Sequence, residues 1–273
     1  MAAFAATGHS SDWFDVASRT HPGLVREANQ DHCVTFCDGG CAGLIVADGV
    51  SSIDGGETAS RLAVQVLQQA FLSQERGIGP AKRLFRAAQR ANIAVHDLAL
   101  AVPELRGMAT TLTALVLANE QMFAVHIGDC RLYLYRDDLL VQLSKDHTVA
   151  AERVRFGLLS KTRALSHPGR STLTRSLGRE LIARVDQFSR HIAKGDVFVV
   201  CSDGVHGLLG DEGIARHCAT TSATGLCSAL IESAHERGSP DNVSAAVARI
   251  TNTPPHGPMY HGLLGLLPRR RAR

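Results

Sequence analysis

Long apolar runs are missing from this 273-residue chain, and none approaches the length of a membrane span. Residues 1–10 lack the basic start and extended apolar stretch of a secretory signal, so a cytoplasmic location is expected. A charge excess of either sign is also missing. The formal net charge is +3, but the last 23 residues hold four arginines and no acid, leaving 25 basic and 26 acidic side chains in the body. A nearly neutral body offers no electrostatic basis for binding nucleic acid. Zinc-ligand spacing is absent too: the seven cysteines include Cys33, Cys37 and Cys41 at intervals of four, which fits free thiols in a reducing compartment. No internal repeat is present. What remains is an ordinary globular composition, 45% hydrophobic, enough for a sizeable core in one large domain or two small ones.

Short apolar runs punctuated by turn formers dominate the pattern. Strands are expected at 13–18, 32–37, 42–47, 110–118, 121–127, 131–135, 139–143, 197–201 and 243–250. The Asp38-Gly39-Gly40 turn makes a hairpin of the second and third. Apolar residues at helical spacing predict helices over 57–73 and 80–100, and shorter ones over 149–156, 212–219 and 224–237. Strands, two helices, many strands, helix, strand is not a βαβ alternation; it predicts antiparallel sheets covered by helices, an α+β fold. Residues 1–250 are expected to form this domain and 251–273 a flexible basic tail.

The strand ends carry the chemistry. The run Gly43–Ala47 stops at Asp48-Gly49, a carboxylate at the end of a buried strand, which is costly unless something pairs with it. The run 123–127 leads to Gly128-Asp129, and 197–201 to Ser202-Asp203-Gly204. Asp241 immediately precedes the last strand, and Asp31 precedes the second. Five aspartates at strand termini can converge at one sheet edge, where they would repel and raise their own pKa values unless cations hold them. Oxygen ligands without His or Cys select hard ions, Mg²⁺ or Mn²⁺, and this many carboxylates suggests two of them. Paired ions can activate a shared water toward phosphorus. Arg26, five residues before Asp31, is available to hold phosphate oxygens.

The segments Arg26-Glu-Ala-Asn-Gln-Asp31, Ala47-Asp-Gly-Val, Met108-Ala-Thr-Thr111, Gly128-Asp-Cys-Arg131, Asp146-His-Thr, His167-Pro through Leu173-Thr-Arg-Ser-Leu-Gly178, Cys201-Ser-Asp-Gly204 and Gly238-Ser-Pro-Asp-Asn242 follow one another as in metal-dependent serine/threonine protein phosphatases. The chain resembles this PPM, or type 2C, family over residues 13–250, in its compact bacterial form. The resemblance implies a four-layer α-β-β-α sandwich of two antiparallel sheets flanked by helices. It implies that Asp48 bridges two metals with the Gly49 carbonyl, that Asp203 and Asp241 complete the first metal's shell, and that Asp31 serves the second. Asp129 would help hold a third ion, and Arg26 would bind the substrate phosphate. Residues 145–178 would include the mobile flap beside the site, a contributor to substrate choice.

The implied activity is hydrolysis of phosphoserine and phosphothreonine on proteins by a metal-bridged water, without a phosphoenzyme. The implied setting is a monomeric enzyme reversing a cognate serine/threonine kinase, in signalling or a type VI secretion locus. No Cys-x5-Arg nucleophile loop is present, which argues against a cysteine-based phosphatase. One departure favours an alternative, a phosphatase-like regulator that binds phosphoprotein without turnover. Where the bacterial family reads glycines after the bridging aspartate, this chain has Ser51-Ser52, residues that adopt glycine-only backbone angles at a cost. Val50 cannot act as a general acid. Asp54 reads as a solvated loop residue, and His126, His147 and His206 as structural.

Overall fold

The computed structural model describes residues 7–50, 55–74, 77–219 and 222–253. Its central feature is the hairpin of β3 (Asp31–Asp38) and β4 (Cys41–Asp48). Gly39 and Gly40 turn it with φ of +53° and +90°, the paired left-handed geometry that matches strand twist and that glycine adopts freely. The register is thereby set, with Asp38 opposite Cys41 at the turn and Asp31 opposite Asp48 at the open end.

β4 extends into an antiparallel sheet through β5 (Leu112–Ala118), β6 (Gln121–Ile127) and β9 (Asp186–His191), in the order β3-β4-β5-β6-β9. The other sheet runs β1-β2-β11-β10-β7-β8, from β1 (Thr7–Ser10), β2 (Phe14–His21), β7 (Arg131–Arg136), β8 (Leu139–Gln142), β10 (Val197–Cys201) and β11 (Val243–Ile250). All named pairs are antiparallel.

Alternation along the strands sends one set of side chains between the sheets, where Phe14, Leu44, Val46, Leu115, Leu132, Phe198 and Val200 form the middle core. The opposite faces take the helices. α1 (Gly56–Leu72) and α2 (Pro80–Ala101) cover the β3–β9 sheet with stripes of small residues, among them Ala59, Ala63, Ala87, Ala88 and Ala91. α5 (Asp203–His217) and α6 (Ala223–Glu236) cover the other through Val205, Leu209, Leu226, Leu230 and Ile231. The result is the expected four-layer α-β-β-α sandwich. The seven cysteines are free thiols.

Four strands and α-helices depart from the sequence expectation, one of them α4 (Lys161–Ala164), a single turn capped by Ser160 in a segment that reads as loop. β1 and β9 were not anticipated, because both are polar and largely exposed; β9 owes its form to its ladder with β6. The helix expected at 212–219 begins instead at Asp203 and runs to His217, broken at Gly210, whose φ is +63°. Its first half, with Gly204 and Gly207, has poor intrinsic propensity and is imposed by packing on the sheet. Residues 254–273, nearly all of the expected tail, and the altered turn with Ser51, Ser52 and Asp54 lie outside the described residues.

Candidate active site

The acidic residues come from strand termini of both sheets. Asp31 opens β3 and Asp48 closes β4, so register alone sets them side by side. Asp129 lies in the tight turn from β6 to β7, Asp203 is the first residue of α5 directly after β10, and Asp241 stands two residues before β11. A hydrogen bond crosses between the sheets here: Ser202 Oγ donates to Asp31 Oδ2 at 2.7 Å, and the same oxygen accepts from the Ser244 amide at 3.0 Å.

Local packing fixes the backbone. Gly49 donates its amide to the Gln30 carbonyl, and a Cβ on Gly49 would lie 2.2 Å from the Gly56 carbonyl oxygen, so the chain can pass from β4 toward α1 only without a side chain here. Thr111 accepts from the Asp48 amide through Oγ1 at 2.9 Å and donates its own amide to the Asp48 carbonyl at 2.8 Å. Asn242 clamps the opposite wall. Its Oδ1 accepts from the Gln30 amide at 2.8 Å, and its Nδ2 donates to the Pro22 and Ala28 carbonyls at 2.7 and 2.9 Å.

Electrostatics register how closely the acids converge. Burial, reinforced by Asp203 and Asp241, pushes Asp31 up to about 7, although the Ser202 and Ser244 hydroxyls pull it down. Burial and then Asp241 push Asp203 up to about 6, against the Gly204 amide and the guanidinium groups of Arg170 and Arg26. Burial raises Asp48 well above the ordinary carboxylate range, with further contributions from Asp31, Asp203, Asp129 and Asp241. Asp129 is raised likewise, by burial and then by Asp203 and Asp146. Each of the five named aspartates thus acts electrostatically on at least one of the others.

Among the described residues, no three or more His, Cys, Asp or Glu side chains are already arranged to hold an ion. Asp31 is turned to Ser202, and Asp241 accepts from Arg26 Nη2 at 3.1 Å. The donor set nevertheless fits a hard divalent cation: it is all oxygen, and added positive charge would offset the burial and mutual repulsion that raise Asp31, Asp48, Asp129 and Asp203.

Arg26 is exposed at the rim, where its only ion pair among the described residues is the one to Asp241. The three histidines near the motifs are buried and bonded. His126 Nε2 lies 3.0 Å from the Lys145 carbonyl, His147 Nδ1 accepts from the Gly128 amide at 3.1 Å, and His206 Nε2 lies 3.0 Å from the Asp129 carbonyl. Ser202, Asn242 and Arg170 were not singled out from the sequence as site residues. The first two sit inside the Cys201–Gly204 and Gly238–Asn242 motifs, so the motifs themselves were the available signal.

A family model described as "Protein phosphatase 2C" matches residues 24–236. The serine/threonine protein phosphatase PstP of Mycobacterium tuberculosis is 36% identical over 238 residues, covering 86% of this chain and 45% of PstP, so the chain spans about half the length of that relative. The serine/threonine phosphatase stp of Listeria innocua is 31% identical over 234 residues, 83% of this chain and 92% of its own length. A crystal structure of the PstP catalytic domain in complex with two manganese ions has a TM-score of 0.77 at 31% identity, covering 88% of this chain and 99% of that one. With the motifs in order and the strand-end acids gathered on a two-sheet sandwich, the chain belongs to the protein phosphatase 2C family.

Proposed function

We propose that this chain is a protein serine/threonine phosphatase dependent on Mn²⁺ or Mg²⁺. The observation that carries the reading is the gathering of Asp31, Asp48, Asp203 and Asp241 from both sheets into one group, in which burial and neighbouring carboxylates, Asp241 among them, raise the pKa values of Asp31, Asp48 and Asp203. Two divalent cations, when bound, would supply Lewis acidity and bring the pKa of a bound water toward neutrality. Asp48 would hold both ions, aided by the Gly49 carbonyl. Asp203 and Asp241 would complete one shell and Asp31 the other, with Asp129 toward a third ion. The two manganese ions of the PstP catalytic domain support this count.

The remaining work falls to the protein's own groups. Arg26, already at the rim beside Asp241, would bind phosphate oxygens and orient the ester. Asn242 and Thr111 would keep the acidic corners in place. The substrate would be a phosphorylated protein, its phosphate installed by a serine/threonine kinase. We place the enzyme in the cytoplasm as a monomer, with residues 1–250 as the catalytic unit. Among the described residues no helix is long and apolar enough to cross a membrane.

The test is hydrolysis of p-nitrophenyl phosphate and of a phosphothreonine peptide in Mn²⁺, Mg²⁺ or EDTA, by the wild type and Asp203→Asn. Turnover that requires the cation and is lost in the variant is expected. Absent turnover, or turnover indifferent to EDTA, would defeat the reading; absence combined with tight phosphopeptide binding would favour the non-catalytic regulator.

A further inference from the structure

Charge is segregated along this chain. Residues 145–184 carry nine Lys and Arg against three Asp and Glu, whereas the rest of residues 1–250 carry sixteen against twenty-three. The basic stretch contains two short helices, α3 (Val149–Arg155) and α4 (Lys161–Ala164), and is anchored at both roots beside the acidic corners. At one root the His147 amide donates to the Gly128 carbonyl at 2.8 Å, next to Asp129. At the other the Leu177 amide donates to the Thr110 carbonyl at 2.8 Å, and Thr110 is bridged to Gly49. The stretch between therefore borders the candidate active site.

Part of this positive charge is neutralised locally. Arg175 pairs with Asp186 at 3.1 Å and Arg155 with Glu152 at 3.8 Å, whereas Arg153, 3.0 Å from the His167 ring nitrogen, keeps its charge. Lys161, Arg163, Arg170 and Arg179 are exposed and have no ion pair among the described residues. Arg170 is also felt at Asp203, so one of these charges is within electrostatic reach of the acidic group. Interleaved with them are three large apolar side chains, Phe156, Leu158 and Leu165, exposed by 66%, 75% and 72%. A shallow hollow of about 480 Å³, lined by Leu158, Leu159, Ser160 and Arg163, opens between α3 and α4. Exposed apolar groups set among arginines have the make-up of a contact surface rather than of a purely solvated face.

We propose that Lys161, Arg163, Arg170 and Arg179 make the 145–184 segment select phosphorylated segments with Asp or Glu flanking the phosphoserine or phosphothreonine. This rests on the phosphatase reading for the phosphate itself, whereas the flank preference stands on the charge pattern. An anionic segment approaching the acidic group is repelled by the net negative charge of the rest of residues 1–250 and attracted by this segment. A field of that kind raises encounter rates by roughly 10- to 1,000-fold at low salt and fades beyond a Debye length of about 8 Å at physiological ionic strength.

The experiment uses two peptides that differ only in carrying Glu or Lys around a phosphothreonine, with a non-hydrolysable phosphonate replacing the phosphate. Binding to the full Mn²⁺-loaded chain is followed by fluorescence anisotropy at about 50 and about 500 mM salt. The Glu peptide should bind about tenfold tighter at low salt, lose most of that advantage at high salt, and lose it altogether in K161E/R163E. Equal affinity for the two peptides, or a Glu advantage that survives in K161E/R163E, would overturn the proposal. So would an oligonucleotide of equal charge competing as well as the Glu peptide, since the surface would then select polyanions at large. Hydrolysis of p-nitrophenyl phosphate, which has no flank, is measured alongside; its absence would sink the catalytic reading alone, because the flank preference is read by binding.

Discussion

At Asp31, burial and two neighbouring acids act in one direction and two serine hydroxyls in the other, and the acid-raising side wins. The folded carboxyl titrates near 7 and the unfolded one near 3.8, so between those values the native state binds more protons. Stability of the metal-free protein therefore falls as pH rises through that window, and the loss is complete above pH 7. Asp31→Asn keeps an oxygen to accept from Ser202 but carries no charge. Its metal-free form should be more stable than the wild type at pH 8, by on the order of 2 kcal/mol, while its stabilisation by Mn²⁺ should shrink. Thermal melts in EDTA and in Mn²⁺ check both; a variant that melts lower in EDTA would contradict the repulsion argument. Arg26 tests the opposite kind of residue. Its pair with Asp241 is exposed on both sides, and such pairs contribute about 0–1 kcal/mol. Arg26→Ala should leave the melting temperature nearly unchanged and mainly raise KM, and an unchanged KM would remove Arg26 from the phosphate site.

Elements hold these residues through a few polar clamps, of which Asn242 is the most connected. Asn242→Ala would leave the Gln30 amide and the Pro22 and Ala28 carbonyls without the side chain that serves them. A loss of about 2–4 kcal/mol is expected from the stranded groups, measured by urea unfolding, together with weaker metal binding as the Asp241 loop loosens. Legibility in the sequence follows the same division. β4, β6 and β10 announce themselves because each is an apolar run that stops at or just before an acid, and burial on both faces leaves no other pattern. β9 and β1 were invisible because their side chains face solvent and only ladder bonds define them. The glycine-laden start of α5 reads as loop, since its helical form comes from packing and not from propensity. The acids at the site were legible one by one, as strand-end aspartates. The Ser202–Asp31 bond was not, because it joins positions 171 residues apart on different sheets.

For the molecule as a whole, two groups of buried side chains pull the pH profile in opposite directions. His126 is lowered to about 4, by burial and then by His147, and His206 to about 3, by burial and then by Arg131. Both stay neutral in the fold while the unfolded chain takes up protons below 6.5, so stability falls as pH drops from 6.5 toward 4, by roughly 3 kcal/mol for each histidine. The aspartates impose the reverse slope above pH 3.8. In EDTA the melting temperature should pass through a maximum at about pH 5–6. In Mn²⁺ it should climb and then level off, because the bound cation removes the carboxylate penalty. Superimposable profiles in the two conditions would refute the argument. The β3–β4 hairpin adds a mechanical corollary. Its open end carries Asp31 and Asp48 directly opposed, and its closed end is the Gly39-Gly40 turn, about 25 Å away for a strand of this length. Because facing alternates with every residue, an indel that slides one strand a single step would swing Asp31 to the far side of the sheet. A lesion at the surface bend would then silence chemistry at the remote end while the stacked layers stayed standing.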